Sequence, residues 1–372
     1  MGVGSSLRRS ATTLFGVLVA AVSLAACSSS SAPSTTSNFA QIGALASVQC
    51  HGSSCIAVGG AGTLASYRLA VVVSRDDGQQ WRRVALPPSL AGPGEFGGLS
   101  CPTPRTCIAV GYRGVVPKVR AVVAESTDAG RQWRRITAPP QLSELVAISC
   151  AEVARCEAVG TRSDAVASSV VATEDGGMHW VDQVVPNGAA IDRIDCPSVE
   201  RCLAVGTATF ATTDGGVHWV LGPMVTTVPS FGGVSCPSTT TCTSSTSTGT
   251  AIEVLELPIT GGAGTLVDTV PLGPGAATSA GDLTCSGSSC VVVAQRALNQ
   301  AVVLAPAQSS TAVVGNQGRY QVLAAPHGIS LLAVSCGART RCVAVGSSAA
   351  RAPVALVINV GSATTLRGRF TS

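Results

Sequence analysis

Residues 99–111 read LSCPTPRTCIAVG, and variants of this stretch recur along the chain. Each variant has a short apolar run that ends in a cysteine, four or five turn-forming residues, and a second cysteine that begins another apolar run. Most of these second runs end in Ala-Val-Gly. Two short apolar runs joined by polar, glycine and proline residues are typical of a β-hairpin. The stretch therefore predicts a hairpin whose two strands each carry one cysteine.

Fifteen cysteines divide into seven such pairs and the single Cys27. The pairs are Cys50 with Cys55, Cys101 with Cys107, Cys150 with Cys156, Cys196 with Cys202, Cys236 with Cys242, Cys285 with Cys290, and Cys336 with Cys342. They recur every 40 to 51 residues, and a fixed period in this range indicates a repeat architecture. The pairs therefore define seven repeats.

The N-terminus predicts export. Arg8 and Arg9 precede an apolar run, Thr13–Leu24, that is too short for an ordinary membrane span. The run ends in Leu-Ala-Ala before Cys27, and four serines follow. This ending resembles a bacterial lipobox, in which the cysteine receives a diacylglycerol and becomes the new N-terminus. An ordinary signal peptide cut nearby, with Cys27 as a stray thiol, is the alternative.

The lipobox resemblance implies three segments. Residues 1–26 are the cleaved signal peptide, residues 27–40 are the lipidated Cys27 and a flexible Ser/Thr/Pro-rich tether, and residues 41–372 are the folded part. It also implies a protein anchored by lipid to the outer face of the bacterial cell membrane.

We expect the cysteine pairs of an exported chain to be disulfides, because they meet an oxidising environment. Metal binding is the alternative, but one pair supplies two thiolates where a structural zinc takes four ligands. The four histidines do not accompany the pairs systematically. The spacing favours pairing within each repeat, while other connectivities stay open. We expect no metal and no cofactor.

A second segment, [S/T]-x-D-x-G-x-x-W, occurs at residues 74–81, 126–133, 173–180 and 212–219, and it contains all four tryptophans. It resembles the Asp-box, or BNR repeat, of sialidases, sortilin-type receptors, some glycanases and photosystem assembly factors. The fifth to seventh repeats lack it. The matching positions are Asp76, Gly78, Trp81, Asp128, Gly130, Trp133, Asp175, Gly177, Trp180, Asp214, Gly216 and Trp219.

The chemistry of this segment indicates a structural role. Ser, Thr and Asp side chains bind backbone N–H groups of their own turn, Gly permits a positive φ, and Trp supplies a large apolar face. A series of catalytic carboxylates is the alternative, but one acid per repeat would not converge on one site.

Each repeat offers four strands: one into the first cysteine, one out of the second, one into the Asp-box and one after its tryptophan. Four strands and seven repeats predict an all-β fold, a seven-bladed β-propeller of four-stranded antiparallel blades. A β-solenoid is the alternative, although its turns are much shorter than about 45 residues. The last blade takes its outer strand either from Leu366–Phe370 or from Phe39–Ile42.

This topology puts the cysteine hairpins and Asp-box turns on one face and the remaining loops on the other. The second face carries a candidate ligand site, and its basic residues outnumber the acidic Glu95, Glu144, Asp164 and Asp192. A ring of arginines there would bind carboxylate or phosphate groups; a scatter of solvated side chains is the alternative. The candidate residues are Tyr67, Arg68, Tyr112, Arg113, Arg120, Arg162, Arg296 and Arg351.

The sequence favours a non-enzymatic surface lipoprotein, a monomer, that binds a protein or a glycan. Asp-box sialidases need an arginine triad and a tyrosine with a glutamate partner, and this chain has three tyrosines. A glycosidase needs two facing carboxylates, and no pair stands out among the twenty acids. A sialidase-like glycan hydrolase and an assembly-factor-like scaffold are the alternatives. A net charge of +4 without a basic run among aromatics argues against nucleic acid.

Overall fold

The computed structural model describes residues 42–62, 67–115, 117–162, 168–186, 190–222, 230–273, 279–297, 300–307, 319–338, 340–360 and 365–368. The predicted signal peptide, Cys27 and the tether lie outside the described residues, as does Asp164. In the described ranges, no helix has the length and apolar character that crossing a membrane requires.

The described residues form β-strands and one short 3-10 helix, Pro88–Leu90. The first two repeats contain β1 (Ile42–His51), β2 (Ser54–Ala61), β3 (Arg68–Ser74), β4 (Arg82–Arg83), β5 (Gly94–Ser100), β6 (Cys107–Arg113), β7 (Arg120–Ser126) and β8 (Arg134–Ile136). The third and fourth contain β9 (Leu142–Cys150), β10 (Cys156–Arg162), β11 (Ser168–Thr173), β12 (Val181–Gln183), β13 (Ile191–Asp195), β14 (Cys202–Gly206), β15 (Thr209–Thr212) and β16 (Val220–Leu221).

The last three repeats continue the pattern. They contain β17 (Phe231–Ser235), β18 (Thr241–Ser247), β19 (Ala251–Pro258), β20 (Thr265–Pro271), β21 (Ser279–Ser286), β22 (Ser289–Ala297), β23 (Gln300–Pro306), β24 (Tyr320–Ala324), β25 (Ile329–Ala338), β26 (Arg341–Ser348), β27 (Pro353–Asn359) and β28 (Thr365–Gly368).

The architecture is a β-propeller whose blades are four-stranded antiparallel sheets, as predicted. The blade count was wrong. Five sheets are separate and four-stranded (β1–β4, β5–β8, β9–β12, β13–β16 and β17–β20), while β21–β28 form one eight-stranded sheet. The physical reason is a parallel pairing of Gln300 on β23 with Ile329 on β25, which joins the sixth and seventh repeats.

The glycine of each Ala-Val-Gly run marks a close approach between two strands. At Gly111 a Cβ would collide with the carbonyl oxygen of Glu95, and at Gly160 with that of Glu144. The inner strand shifts register near both points. Glycine is therefore required where the inner strand bulges against its neighbour.

All seven predicted disulfides are present, each within its own repeat, which confirms the pairing. In the first repeat Cys55 on β2 faces Cys50 on β1, and in the last Cys342 on β26 faces Cys336 on β25. The bridges join Cys50 to Cys55, Cys101 to Cys107, Cys150 to Cys156, Cys196 to Cys202, Cys236 to Cys242, Cys285 to Cys290, and Cys336 to Cys342. Each bridge therefore clasps the two strands of one hairpin.

Cysteine hairpins contact Asp-box turns of the same repeat. The amide of Asp77 donates to the carbonyl of Ser53 at 2.9 Å, and that of Ala129 donates to the carbonyl of Arg105 at 2.8 Å. Hairpins and box turns therefore lie together on one face, called here the hairpin face; the opposite one is the loop face.

A belt of hydrogen bonds joins the inner strands. At six junctions, the side chain that precedes the first cysteine of a repeat accepts the backbone N–H of a first cysteine in the neighbouring repeat. These acceptors are Gln49, Ser100, Ser149, Asp195, Ser235 and Ser335, at 2.6–3.1 Å. Between β21 and β25, Asp282 instead accepts the N–H of Val334 at 3.1 Å.

The belt also shows how the ring closes, because Ser335 of the last repeat accepts from Cys50 of the first at 3.0 Å. An apolar cluster containing Leu45, Ala333 and Val345 packs the two repeats together. The outer strand of the last repeat is β28, Thr365–Gly368, paired with β27. Of the two predicted sources for this strand, the C-terminal one is confirmed.

Candidate functional site

The Asp-box aspartates are engaged in their own turns. Asp128 accepts the hydroxyl of Ser126 at 2.9 Å and the backbone N–H of Gln132 at 2.9 Å, while the N–H of Gly130 donates to Ser126 Oγ at 2.9 Å. The other three boxes repeat this arrangement. Hydrogen bonds from the backbone and side chain of His179 lower the pKa of Asp175 to about 2. These carboxylates therefore cap turns.

The predicted arginine face does not form a ring. Arg113 donates to the carbonyl oxygens of Ser89 and Ala91 at 2.8 and 2.9 Å, so it ties down the segment between the first two sheets. Arg162 lies 3.4 Å from the carboxylate of Asp182 on its own sheet. Arg68, Arg120 and Arg296 are exposed on separate repeats. Binding of an anion at this face stays a prediction.

Two tyrosines and two glutamates lie at the loop-face ends of the first three repeats, and they are called here the mouth cluster: Tyr67, Glu95, Tyr112 and Glu144. Glu95 and Glu144 stand near the starts of the neighbouring inner strands β5 and β9, and Glu95 pairs with Tyr112 across β5 and β6. All four side chains are half-buried.

Tyr67 and Glu95 of the mouth cluster both lie against Gly60. A Cβ at Gly60 would collide with the ring of Tyr67 and lie 3.3 Å from Cγ of Glu95. The ring and the glutamate therefore cover the same glycine, and only glycine leaves room for them. The fold thus brings together residues that the sequence places in four separate loops.

The electrostatics of the mouth cluster follow from burial and from its two acids. Burial, with the nearby charge of Glu144, raises the pKa of Glu95 to about 7. Burial also raises the pKa of Glu144. The pKa of Tyr67 is raised by burial and then by Glu95, against an opposing effect of Arg351. Arg351 is therefore a predicted arginine that acts on the cluster.

The central channel is a cavity of about 210 Å³ lined by residues of all seven inner strands. Arg193, Asp195 and Asp282 line its wall, and none was predicted. Burial raises the pKa of Asp195 to about 6. Burial also raises the pKa of Asp282, and the nearby charge of Arg193 offsets only part of this increase. Asp195 and Asp282 both accept belt hydrogen bonds, so the channel acids serve the scaffold.

A further unpredicted acid, Glu157, lies between the third and fourth repeats and is 8% exposed. Its Oε1 accepts the amide of Gln183 at 3.1 Å, and Gln183 in turn accepts the indole N–H of Trp219 at 2.8 Å. Its Oε2 is buried without a hydrogen-bond partner. Glu157 also lines a cavity of about 30 Å³.

The sequence did carry a signal for Glu157. It directly follows the second cysteine, where five other repeats have Ile56, Ile108, Leu203, Val291 and Val343 and one has Thr243. Among the described residues, no group of three His, Cys, Asp or Glu side chains is placed to hold a metal ion.

Comparison with known proteins gives a fold and no family. No protein-family model matches the chain, and no curated protein sequence does. A solved structure of YCF48 bound to D1 peptide superposes with a TM-score of 0.52 at 13% identity, over 74% of this chain and 82% of that one. A streptogramin B lyase gives 0.58 at 10% identity, over 89% and 95%.

A GH74 enzyme from Niastella koreensis gives a TM-score of 0.61 at 13% identity, over 88% of this chain but 54% of that one. The chain thus spans about half the length of that enzyme. These similar structures include an assembly with a peptide, a glycoside hydrolase and a lyase. At such identities they establish the β-propeller fold, and fold does not decide function.

Proposed function

We propose that this protein is an exported, lipid-anchored β-propeller that binds a partner protein, without catalysis, through the loop-face mouth of its channel. The observation that carries the proposal is the mouth cluster, in which Glu95 and Glu144 converge with Tyr67 and Tyr112. The scaffold residues of the hairpin face are engaged in turns and disulfides, whereas this cluster serves no turn or disulfide.

The chemistry of the mouth cluster favours a basic group of the partner. Carboxylates attract an ammonium or guanidinium group by charge, and tyrosine faces attract it through the ring quadrupole. An opposite charge nearby favours the ionised form of an acid. A bound lysine or arginine side chain would therefore lower the pKa of Glu95 from about 7 towards its ordinary value.

The lipid anchor is tested at Cys27. Replacing Cys27 by Ala removes the thiol that receives the diacylglycerol, so the protein is expected to leave the membrane fraction or to stay as an unprocessed precursor. Fractionation followed by intact mass measurement distinguishes these forms. Wild-type protein without a lipid-sized mass increase would contradict the anchor and support the ordinary signal peptide.

Partner binding is tested by crosslinking in the native cell envelope. A photoreactive amino acid at position 112 is expected to capture one protein, and Glu95→Gln with Glu144→Gln is expected to reduce that product by about tenfold, since two attractive charges are lost. The exposed Glu256→Gln serves as the control, and the same photoreactive group at Ser53 reports the hairpin face. Capture from Ser53 alone, or an unchanged yield in the double variant, would refute the proposal.

Glycan hydrolysis is the second candidate, because Glu95 and Glu144 supply a pair of carboxyl groups beside a tyrosine, and a glycosidase needs two such groups. Cleavage of a fluorogenic glycoside, lost on Glu95→Gln, would favour this activity over the proposed binding role. An assembly-factor-like scaffold stays a weaker proposal, supported by the fold similarity alone.

A further inference from the structure

A groove of about 720 Å³ lies between the second and third sheets, away from the mouth cluster. Its walls are β8, the following segment 137–140, and Met178 from the third Asp-box turn. Ile136 and Ala138 in this groove also pack against the core cluster between the two sheets. The groove is therefore held in place by the scaffold on both sides.

Part of its lining is apolar. Pro139 is buried, Pro140 is exposed and Met178 is 61% exposed. The equivalent position in the first two boxes is polar, Gln79 and Arg131. An exposed methionine over a pair of prolines gives an adaptable apolar surface that accepts varied side chains.

The rim is basic. Arg120, Arg134 and Arg135 line the groove, and no acidic residue does. Arg134 pairs with Glu125 on the neighbouring strand. Arg120 and Arg135 are exposed, and within the described ranges neither forms an ion pair. The side chains of Arg120 and Arg135 are therefore available to bind an anionic partner.

The groove also contains an edge strand of a sheet. β8 is the last strand of its sheet, and among the described strands it pairs only with β7. An open edge strand is a template for an added strand from another chain, with pockets beside it that select alternate side chains.

We propose that this groove binds an extended, acidic segment of a partner protein, which pairs with the edge of β8, sets carboxylates against Arg120 and Arg135, and lays apolar side chains on Pro140 and Met178. The charge of the rim selects acidic over basic segments, and the prolines and methionine favour a peptide over a nucleic acid. This site does not depend on the mouth cluster.

The test uses a fluorescein-labelled octapeptide of alternating Glu and Val, with fluorescence polarisation as the readout. The double variant Arg120→Glu with Arg135→Glu is expected to bind it about tenfold more weakly, because two exposed attractions become repulsions. The matched control reverses Arg82 and Arg83 on β4, the corresponding outer strand of the first sheet. Circular dichroism melting confirms that each variant is folded.

Three further arms make the result decisive. An octapeptide of alternating Lys and Val is expected not to bind, an N-methylated acidic peptide is expected to lose affinity because it lacks backbone donors, and Met178→Gln is expected to weaken binding severalfold. Equal losses in both arginine pairs, equal binding of the two peptides, tighter binding of a thymidine octanucleotide, or no binding of the acidic peptide would each overturn the proposal.

Discussion

Refolding with the hairpin disulfides reduced is expected to remove most of the stability of the propeller. A disulfide that closes a loop of about seven residues contributes roughly 2 kcal/mol by restricting the unfolded chain. Seven such bridges together contribute on the order of 10 kcal/mol, which is comparable with the net stability of a typical domain. We expect the reduced chain to be unfolded or to melt far below the oxidised one.

The burial of the sulfurs decides how this experiment is done. The second cysteine of each pair is nearly inaccessible: Cys107 and Cys242 are 0% exposed, and Cys55 and Cys342 are 1% exposed. A reductant therefore reaches the native disulfides slowly, so the protein is unfolded in guanidinium with reductant and then diluted. The same cycle without reductant is the control. Recovery of the same melting temperature in both samples would show that the bridges contribute little.

A double variant measures the contribution of a single disulfide to the free energy of unfolding. Replacing Cys236 and Cys242 by alanine together is expected to lower the free energy of unfolding by about 2 kcal/mol, plus the loss of their buried contacts. Urea unfolding measures this change. A pair on the eight-stranded sheet, Cys285 and Cys290, provides the comparison.

The sequence predicted the structure within each repeat, and it missed the contacts between repeats. Cysteine spacing and the Asp-box pattern predicted the four-stranded unit, because each of these motifs closes within its own repeat. The merging of the last two repeats rests on the single pairing of Gln300 with Ile329, for which no local pattern exists. The belt was not predicted, because each of its hydrogen bonds joins the inner strands of two different repeats.

The candidate site shows the same limit. The sequence singled out Arg113 because it is basic and lies in a loop, yet the carbonyl groups of Ser89 and Ala91 occupy its guanidinium. Glu95 and Glu144 were noted only as acids of the loop face, because the repeat pattern does not say which side chains of β5 and β9 converge at the mouth of the channel. The function proposed for this site depends on adjacency between repeats, which the repeat pattern does not encode residue by residue.

Glu157→Gln is expected to remove a large part of the pH dependence of stability. Burial raises the folded-state pKa of Glu157 to about 8, against an ordinary value of 4.5. Between these values the folded protein retains a proton that the unfolded chain has released. The contribution of Glu157 is therefore fully present below about pH 4.5 and is lost as pH rises through about 8, a decrease on the order of 4 kcal/mol.

The measurement is the free energy of unfolding in urea at a series of pH values between about 5 and 9, which spans this window. Glutamine keeps the shape of the side chain and its contact with Gln183 but does not ionise, so the variant is expected to show a much flatter profile. Burial also raises the pKa of Glu95 to about 7 and that of Asp195 to about 6. Both acids remain in the variant, so the difference between the two profiles isolates Glu157.

Glu157→Leu separates the charge from the buried position. Leucine occupies the equivalent position, Leu203, in the fourth repeat, and replacing a buried carboxyl by an apolar side chain of similar volume is often neutral or stabilising. Gln183 keeps its bonds to Trp219 and to the carbonyl of Gly215, and the one N–H that loses Glu157 as its acceptor belongs to a half-buried side chain. We expect the free energy of unfolding of this variant to exceed that of the wild type most strongly at about pH 9, where the buried wild-type carboxyl is ionised. The exposed Glu256→Gln is the control, and a Glu157→Leu profile that runs parallel to the wild type would show that Glu157 is ionised at every pH or is not buried.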